Sequence, residues 1–260
     1  MKKLSGFGNP PIFGLNPKLT RTMKKLLLLL LLSLPATLSA QRNILDIDFG
    51  WHFHRGDIEN GQSDSTDYSS WRTLDIPHDW SIEGEYDRRN PGGGSYAFLP
   101  AGIGWYKYEF EADPAWAGRS VAVEFDGIFC NSTVWINGRK LGYRPNGYLG
   151  IGYDLTPYLK PGGRNVLTVR VDNSLQPAAR WYSGSGIYRH ARLIVTDKIR
   201  VARNGTFVTT PRVSQSAAEV RVQAELRNLT GEKTTASVYS VIFNSEGREV
   251  ARSAAQTVEV

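Results

Sequence analysis

Thr133-Val134-Trp135-Ile136-Asn137-Gly138-Arg139-Lys140-Leu141 decides how the chain is read. Asn-Gly tolerates positive φ at both central positions of a two-residue turn, the geometry of type I′ hairpins. The stretch therefore predicts a hairpin between Val134-Trp135-Ile136 and Arg139-Lys140-Leu141. Outward from it the same grammar continues. Gly104–Glu111, Ser120–Phe125, Asn165–Val171 and Ala191–Thr196 read as further short strands. Val166-Leu167-Thr168-Val169-Arg170-Val171 alternates apolar and polar residues, as a half-buried strand does. Pro161-Gly162-Gly163 is a turn ahead of it. No segment sustains a 3.6-residue period, so long helices are not expected. The class is all-β, an antiparallel sandwich.

Aromatic residues divide the chain. All seven Trp lie before residue 182, whereas Phe207, Tyr239 and Phe243 are the only aromatics from Ile199 onward. The later stretch alternates instead, as in Val220-Arg221-Val222-Gln223-Ala224-Glu225-Leu226. The expected organisation is a leader over 1–40, a jelly-roll β-sandwich over 41–198, and a partial immunoglobulin-like β-sandwich over 199–260. The last segment shows roughly four strands where an immunoglobulin-like sandwich takes about seven. A half sandwich leaves an apolar face and a strand edge unpartnered. The expectation is thus that these residues are the N-terminal part of a longer protein.

Charge and cysteine usage narrow the function classes. The chain carries 31 Lys and Arg against 25 Asp and Glu. Six of the basic residues and no acid fall in 1–40, so residues 41–260 are electrically balanced. That balance speaks against a nucleic-acid partner, which needs basic clusters on the folded body. Lys24-Lys25, the leucine run from Leu26 and the small residues ending at Ala40 form a signal peptide, with Met23 as its plausible true start. The apolar run is shorter than the roughly 20 residues that span a bilayer. The mature chain is expected in the periplasm or outside the cell, with no membrane association after signal removal. The lone Cys130 excludes an internal disulfide and sits in an apolar run, as a small buried hydrophobe would.

Several groups invite a chemical reading. Asp79, Glu83, Glu85 and Asp87 lie in a loop-like stretch with Arg88 and Arg89, a pattern typical of solvated ion pairs. His52 and His54 share a strand face but lack an evident third ligand, since His78 and His190 are distant in sequence. Gly92-Gly93-Gly94 reads as a flexible loop without the context of a phosphate site. No catalytic residue, metal ligand or cofactor-binding residue is assigned, and no cofactor is expected. What remains is Arg180-Trp181-Tyr182-Ser183-Gly184-Ser185-Gly186-Ile187-Tyr188-Arg189. Aromatic faces stack on the C–H faces of sugar rings, and Arg donates in a fixed fork to hydroxyls or carboxylates. From composition, sugar contact and a domain interface explain the segment equally well.

This decapeptide resembles the signature of the N-terminal sugar-binding domain of family-2 glycoside hydrolases, the β-galactosidase type. Ile76-Pro77-His78-Asp79-Trp80, Gly102-Ile103-Gly104-Trp105-Tyr106, Phe125-Asp126-Gly127-Ile128, Val134-Trp135-Ile136-Asn137-Gly138 and Val169-Arg170-Val171-Asp172-Asn173 match in order. The resemblance covers about 43–198. It implies a jelly roll, then an immunoglobulin-like sandwich, then a (β/α)8 barrel carrying two catalytic glutamates for retaining hydrolysis. It implies substrate binding through Arg180, Trp181 and Tyr182, with a carbohydrate substrate and the barrel domain, which is not in this chain, as partners. The best-known β-galactosidases have Asp at the Arg180 position and Asn near Ala101; both are absent here. Glucuronide or mannoside hydrolysis, or a stand-alone carbohydrate-binding module, are the alternative readings. Homo-oligomerisation is left open.

Overall fold

The computed structural model describes residues 42–260. The expected signal peptide, with Met23 and the cut at Ala40, lies outside them.

The first group of strands is β1 (Asn43–Asp46), β2 (Trp51–Arg55), β3 (Arg72–Leu74), β4 (Gly102–Glu111), β5 (Ser120–Phe125), β6 (Ser132–Ile136), β7 (Arg139–Arg144), β8 (Ile151–Asp154), β9 (Arg164–Asn173) and β10 (Ala191–Thr196). They pair antiparallel into a four-stranded sheet, β1-β10-β5-β8, and a six-stranded sheet, β3-β2-β4-β9-β6-β7. The Asn-Gly hairpin is present. Ile136 pairs with Arg139, and Asn137 and Gly138 have φ of 49° and 75°.

The sheets pack face to face because alternate residues of facing strands are apolar. Val121, Val123, Phe125, Leu193 and Val195 meet Trp51, Phe53, Tyr106, Val134, Leu167 and Val169 in one core. Trp51 lies at its centre with no exposed surface. Its indole N–H donates to the Ile47 carbonyl at 2.6 Å, and its ring centroid lies 5.1 Å from Tyr108 and 6.3 Å from both Tyr106 and Phe125.

One expectation is corrected here. The β9 alternation predicts a strand wet on one face, yet Val166 and Thr168 are also buried. The segment 57–71 straps the outer face of the six-stranded sheet. Asp57 accepts from the Trp105 indole at 3.0 Å and from Arg170 at 2.8 Å, and Lys107 donates to the Ser63 carbonyl at 2.8 Å. Tyr68 bonds Glu109 and Arg164. The strap also explains the two strand histidines. His52 packs on Tyr68 and His54 on Trp71, ring to ring.

Lys107 has no exposed surface, and burial lowers its ammonium from 10.5 to about 8. Between those values the unfolded chain holds a proton that the folded chain has released. Lys107 therefore contributes stability that rises with pH across that window, by up to about 1.4 kcal/mol per unit, and above about pH 9 the buried Cys130 thiol, raised from 9.0 to about 11, offsets it. Burial raises the phenols of Tyr96 and Tyr106, so the folded state resists their ionisation and stability falls again above about pH 10. Urea unfolding at pH 8, 9 and 10 checks this. Lys107→Met is expected to flatten the rise, and an unchanged slope in that variant would assign it elsewhere.

The second group is β11 (Ile199–Val213), β12 (Ala218–Asn228), β13 (Thr235–Val238), β14 (Val241–Phe243), β15 (Glu249–Arg252) and β16 (Gln256–Glu259). They form three two-stranded sheets, β11-β12, β13-β16 and β14-β15. Six strands stand where the sequence suggested roughly four. β13 and β14 are separated at Tyr239-Ser240, where Ser240 and Ser253 bond each other through backbone and hydroxyl. Val220, Val222, Leu226, Val238, Ile242 and Val258 line an open cavity of about 750 Å³ between these sheets. Arg203 of β11 ties this group to the first through Glu124 of β5 at 3.1 Å. The whole is all-β, a sandwich followed by a partial one, with no α-helix among the described residues.

Candidate functional site

The β9–β10 connection, 174–190, carries the three residues singled out by the sequence. Its C-terminal half is fixed by backbone. Ile187 accepts from the His78 N–H at 2.8 Å, and Gly186 and Phe129 exchange two hydrogen bonds at 2.8 and 2.9 Å. Gly186 has φ of 113°, and a Cβ there would lie 2.3 Å from the Tyr106 hydroxyl. Only glycine fits both the dihedral and the space.

The middle of the loop rests on a buried polar cluster. The Tyr96 hydroxyl donates to the Gly184 carbonyl at 2.6 Å and lies 2.7 Å from the Ser185 hydroxyl. Asn173 donates to the Tyr96 oxygen at 2.8 Å and to the Gly184 carbonyl at 3.1 Å. Ser81 donates to the Ser185 hydroxyl at 2.8 Å. Tyr96 reaches the cluster from a 3₁₀ turn over Gly93–Tyr96. The glycine run is thus a packed turn rather than the flexible loop expected. A Cβ on Gly92 would lie 2.3 Å from that of Tyr96, so the glycine admits the tyrosine.

The exposed end of the loop presents the candidate contacts. Trp181 is 61% exposed, and its indole N–H donates to the Tyr148 hydroxyl at 3.1 Å. Arg180 is exposed and forms no ion pair among the described residues. Its guanidinium is therefore available to a ligand. Tyr182 differs. It is half-buried, donates to Asp79 at 2.5 Å and packs on Tyr96 at 5.0 Å between centroids. Desolvation and the neighbouring carboxylate raise its phenol well above the usual range. The three residues lie together, but only Arg180 and Trp181 are exposed, and the Trp181 ring offers its faces rather than its N–H.

The loop carboxylates divide as well. Glu83 pairs with Arg72 at 2.6 Å, and Asp87 with Arg89 at 2.5 Å. The arginine in each case holds the carboxyl below its ordinary value. Asp79 is not a solvated pair but a half-buried acceptor of three hydrogen bonds. The histidines do not converge. His78 faces inward, 4.6 Å from Phe53, whereas His52 and His54 lie on the opposite side of β2. Burial holds the His78 imidazole below its usual value. Cys130 is buried, and burial pushes its thiol up to about 11, far from a thiolate nucleophile.

These residues form an antiparallel β-sandwich that displays, on a braced connection, an exposed indole and a guanidinium with no ion-pair partner among the described residues. The model of the glycosyl hydrolases family 2 sugar binding domain matches residues 49–197, and the chain belongs to that family. It is 46% identical over 217 residues to the β-galactosidase BoGH2A of Bacteroides ovatus, covering 83% of this chain and 25% of that protein. A putative β-glucuronidase of Formosa agariphila is 37% identical over 201 residues, covering 77% and 19%. The crystal structure of a family-2 member from Bacteroides cellulosilyticus superposes with a TM-score of 0.80 at 36% identity, covering 83% of this chain and 28% of that one. The chain spans about a quarter of the length of these relatives.

Proposed function

We propose that residues 41–198 are the sugar-contacting accessory domain of an exported β-galactosidase-like hydrolase of terminal β-linked sugars. Residues 199–260 are the start of its immunoglobulin-like domain. The bond-breaking carboxylates belong to a barrel outside these residues. The observation that carries the reading is the pairing of an exposed Trp181 ring with an unpaired Arg180 on a braced loop. Stacking supplies apolar contact to a pyranose face, and the guanidinium supplies directed donors. Tyr182 contributes by anchoring the backbone from which both project. Export follows from the leader. No helix among the described residues is long and apolar enough to cross a membrane.

In a full-length enzyme containing this segment, Arg180→Ala is expected to raise KM about tenfold, the loss of one charge-assisted hydrogen bond, with thermal unfolding unchanged. Unaltered kinetics would leave the loop a purely structural element. A second reading, β-glucuronide hydrolysis, is favoured by the same unpaired guanidinium, which fits a sugar carboxylate. The two separate by substrate: Arg180→Ala harms glucuronide turnover selectively if the carboxylate is its partner.

A further inference from the structure

Asp79 is a carboxylate held entirely by neutral donors. One oxygen accepts the backbone N–H groups of Ser81 and Ser185, each at 2.9 Å, and the other accepts the Tyr182 hydroxyl at 2.5 Å. Among the described residues it forms no ion pair. The donors come from two segments far apart in sequence, its own turn and the 182–185 stretch of the loop. Gly184, between them, has φ of 75°, and a Cβ there would lie 2.8 Å from the Asp79 carboxylate. The loop thus closes on the carboxylate without a side chain between.

All three partners donate to Asp79 here; the two backbone N–H groups can only donate, whereas the Tyr182 hydroxyl could also accept. A carboxylate satisfies all three at once, and an amide in its place keeps one oxygen for the two backbone donors while its NH₂ can donate to the tyrosine oxygen. Charge-assisted bonds of this kind are about twice as strong as neutral ones. Tyr182 lies one residue from Trp181 and two from Arg180, so its anchorage fixes where both side chains leave the backbone. We propose that Asp79 is the positioning residue of the Arg180–Tyr182 loop: it latches the loop in a preformed pose before any ligand arrives. This rests on the reading of that loop as the sugar contact, but the latch itself is testable without sugar.

Arg180 makes the loop its own probe, because trypsin cleaves after exposed arginines once the local backbone can open. The purified chain and its Asp79→Ala, Asp79→Asn and Tyr182→Phe variants are digested under native conditions. Cleavage after Arg180 is compared by mass spectrometry with cleavage after Arg192, which lies in β10 and pairs with Asp126 at 3.0 Å. Asp79→Ala is expected to speed cleavage after Arg180 by at least about tenfold, the loss of a charge-assisted bond, and to leave Arg192 unchanged. Asp79→Asn keeps an acceptor for the two backbone donors and is expected to restore most of the protection. Tyr182→Phe, which removes one of the three donors and nothing from the core, is expected to fall between. Equal rates at Arg180 in all four proteins overturn the latch. So does parallel acceleration at both sites in every variant, which would mean that Asp79 serves global stability alone. If the predicted order is found but Arg180→Ala leaves KM of the longer enzyme unchanged, the latch stands and the sugar reading falls.

Discussion

Purified as 260 residues, the chain is expected to release no chromophore from a chromogenic β-galactoside above the buffer rate. Retaining hydrolysis needs two carboxyl groups roughly 5–5.5 Å apart, one kept protonated near neutrality to act as the acid. The carboxylates beside the Trp181 loop are occupied otherwise. Asp79 accepts three hydrogen bonds, Glu83 is held by Arg72 and Asp87 by Arg89. The arginines lower the latter two carboxyls, opposite to the direction an acid requires. The rate enhancement expected to be absent is the whole of what such an enzyme supplies, on the order of 10⁶-fold or more. Turnover that scales with the chain and disappears in Glu83→Gln or Asp87→Asn would place the chemistry here instead.

The largest expected effect on stability is that of Trp51→Ala. The indole is fully buried, contacts three aromatic rings and satisfies the Ile47 carbonyl. Its removal leaves a cavity between two sheets whose backbones are held by continuous ladders and cannot close around it. A loss of about 3–5 kcal/mol is expected, with the unfolding midpoint down by about 10 °C. Trp181→Ala, by contrast, removes an exposed ring and is expected to cost under about 0.5 kcal/mol. Denaturant titration of the pair checks both figures. Similar losses in the two variants would contradict the division between a core indole and a contact indole.

The fold and the loop are unequally visible in the residues. Val134-Trp135-Ile136-Asn137-Gly138 declares its hairpin locally, because the turn dihedrals are encoded by the two residues that adopt them. Strand ends at Ser120, Phe125, Ala191 and Thr196 were legible for the same reason. The strap was not. Whether Thr168 faces water or the 57–71 segment depends on Asp57, Ser63 and Tyr68 reaching across the sheet, and no local pattern announces such a covering. At the loop, Arg180 and Trp181 stood out by type, while the groups that brace them did not. Asp79 reads as a solvated acid in a stretch with Arg88 and Arg89, and Tyr96 carries no signal of its own. Their partners, Ser185 and Asn173, are 106 and 77 residues away. The one available signal was position: Asp79 sits between His78 and Trp80-Ser81, nine residues before Arg88.

The cradle around Gly186 has a consequence for which parts of the connection can vary. Everything from Gly184 to Ile187 is buried and bonded to other segments, so replacements there would deform the sandwich. Residues 174–181 mostly face solvent and hang from that fixed stem, outside the Tyr182 anchor. New side chains, or extra ones, can be written into that outer arc without the scaffold noticing, which makes it the natural place to graft altered selectivity.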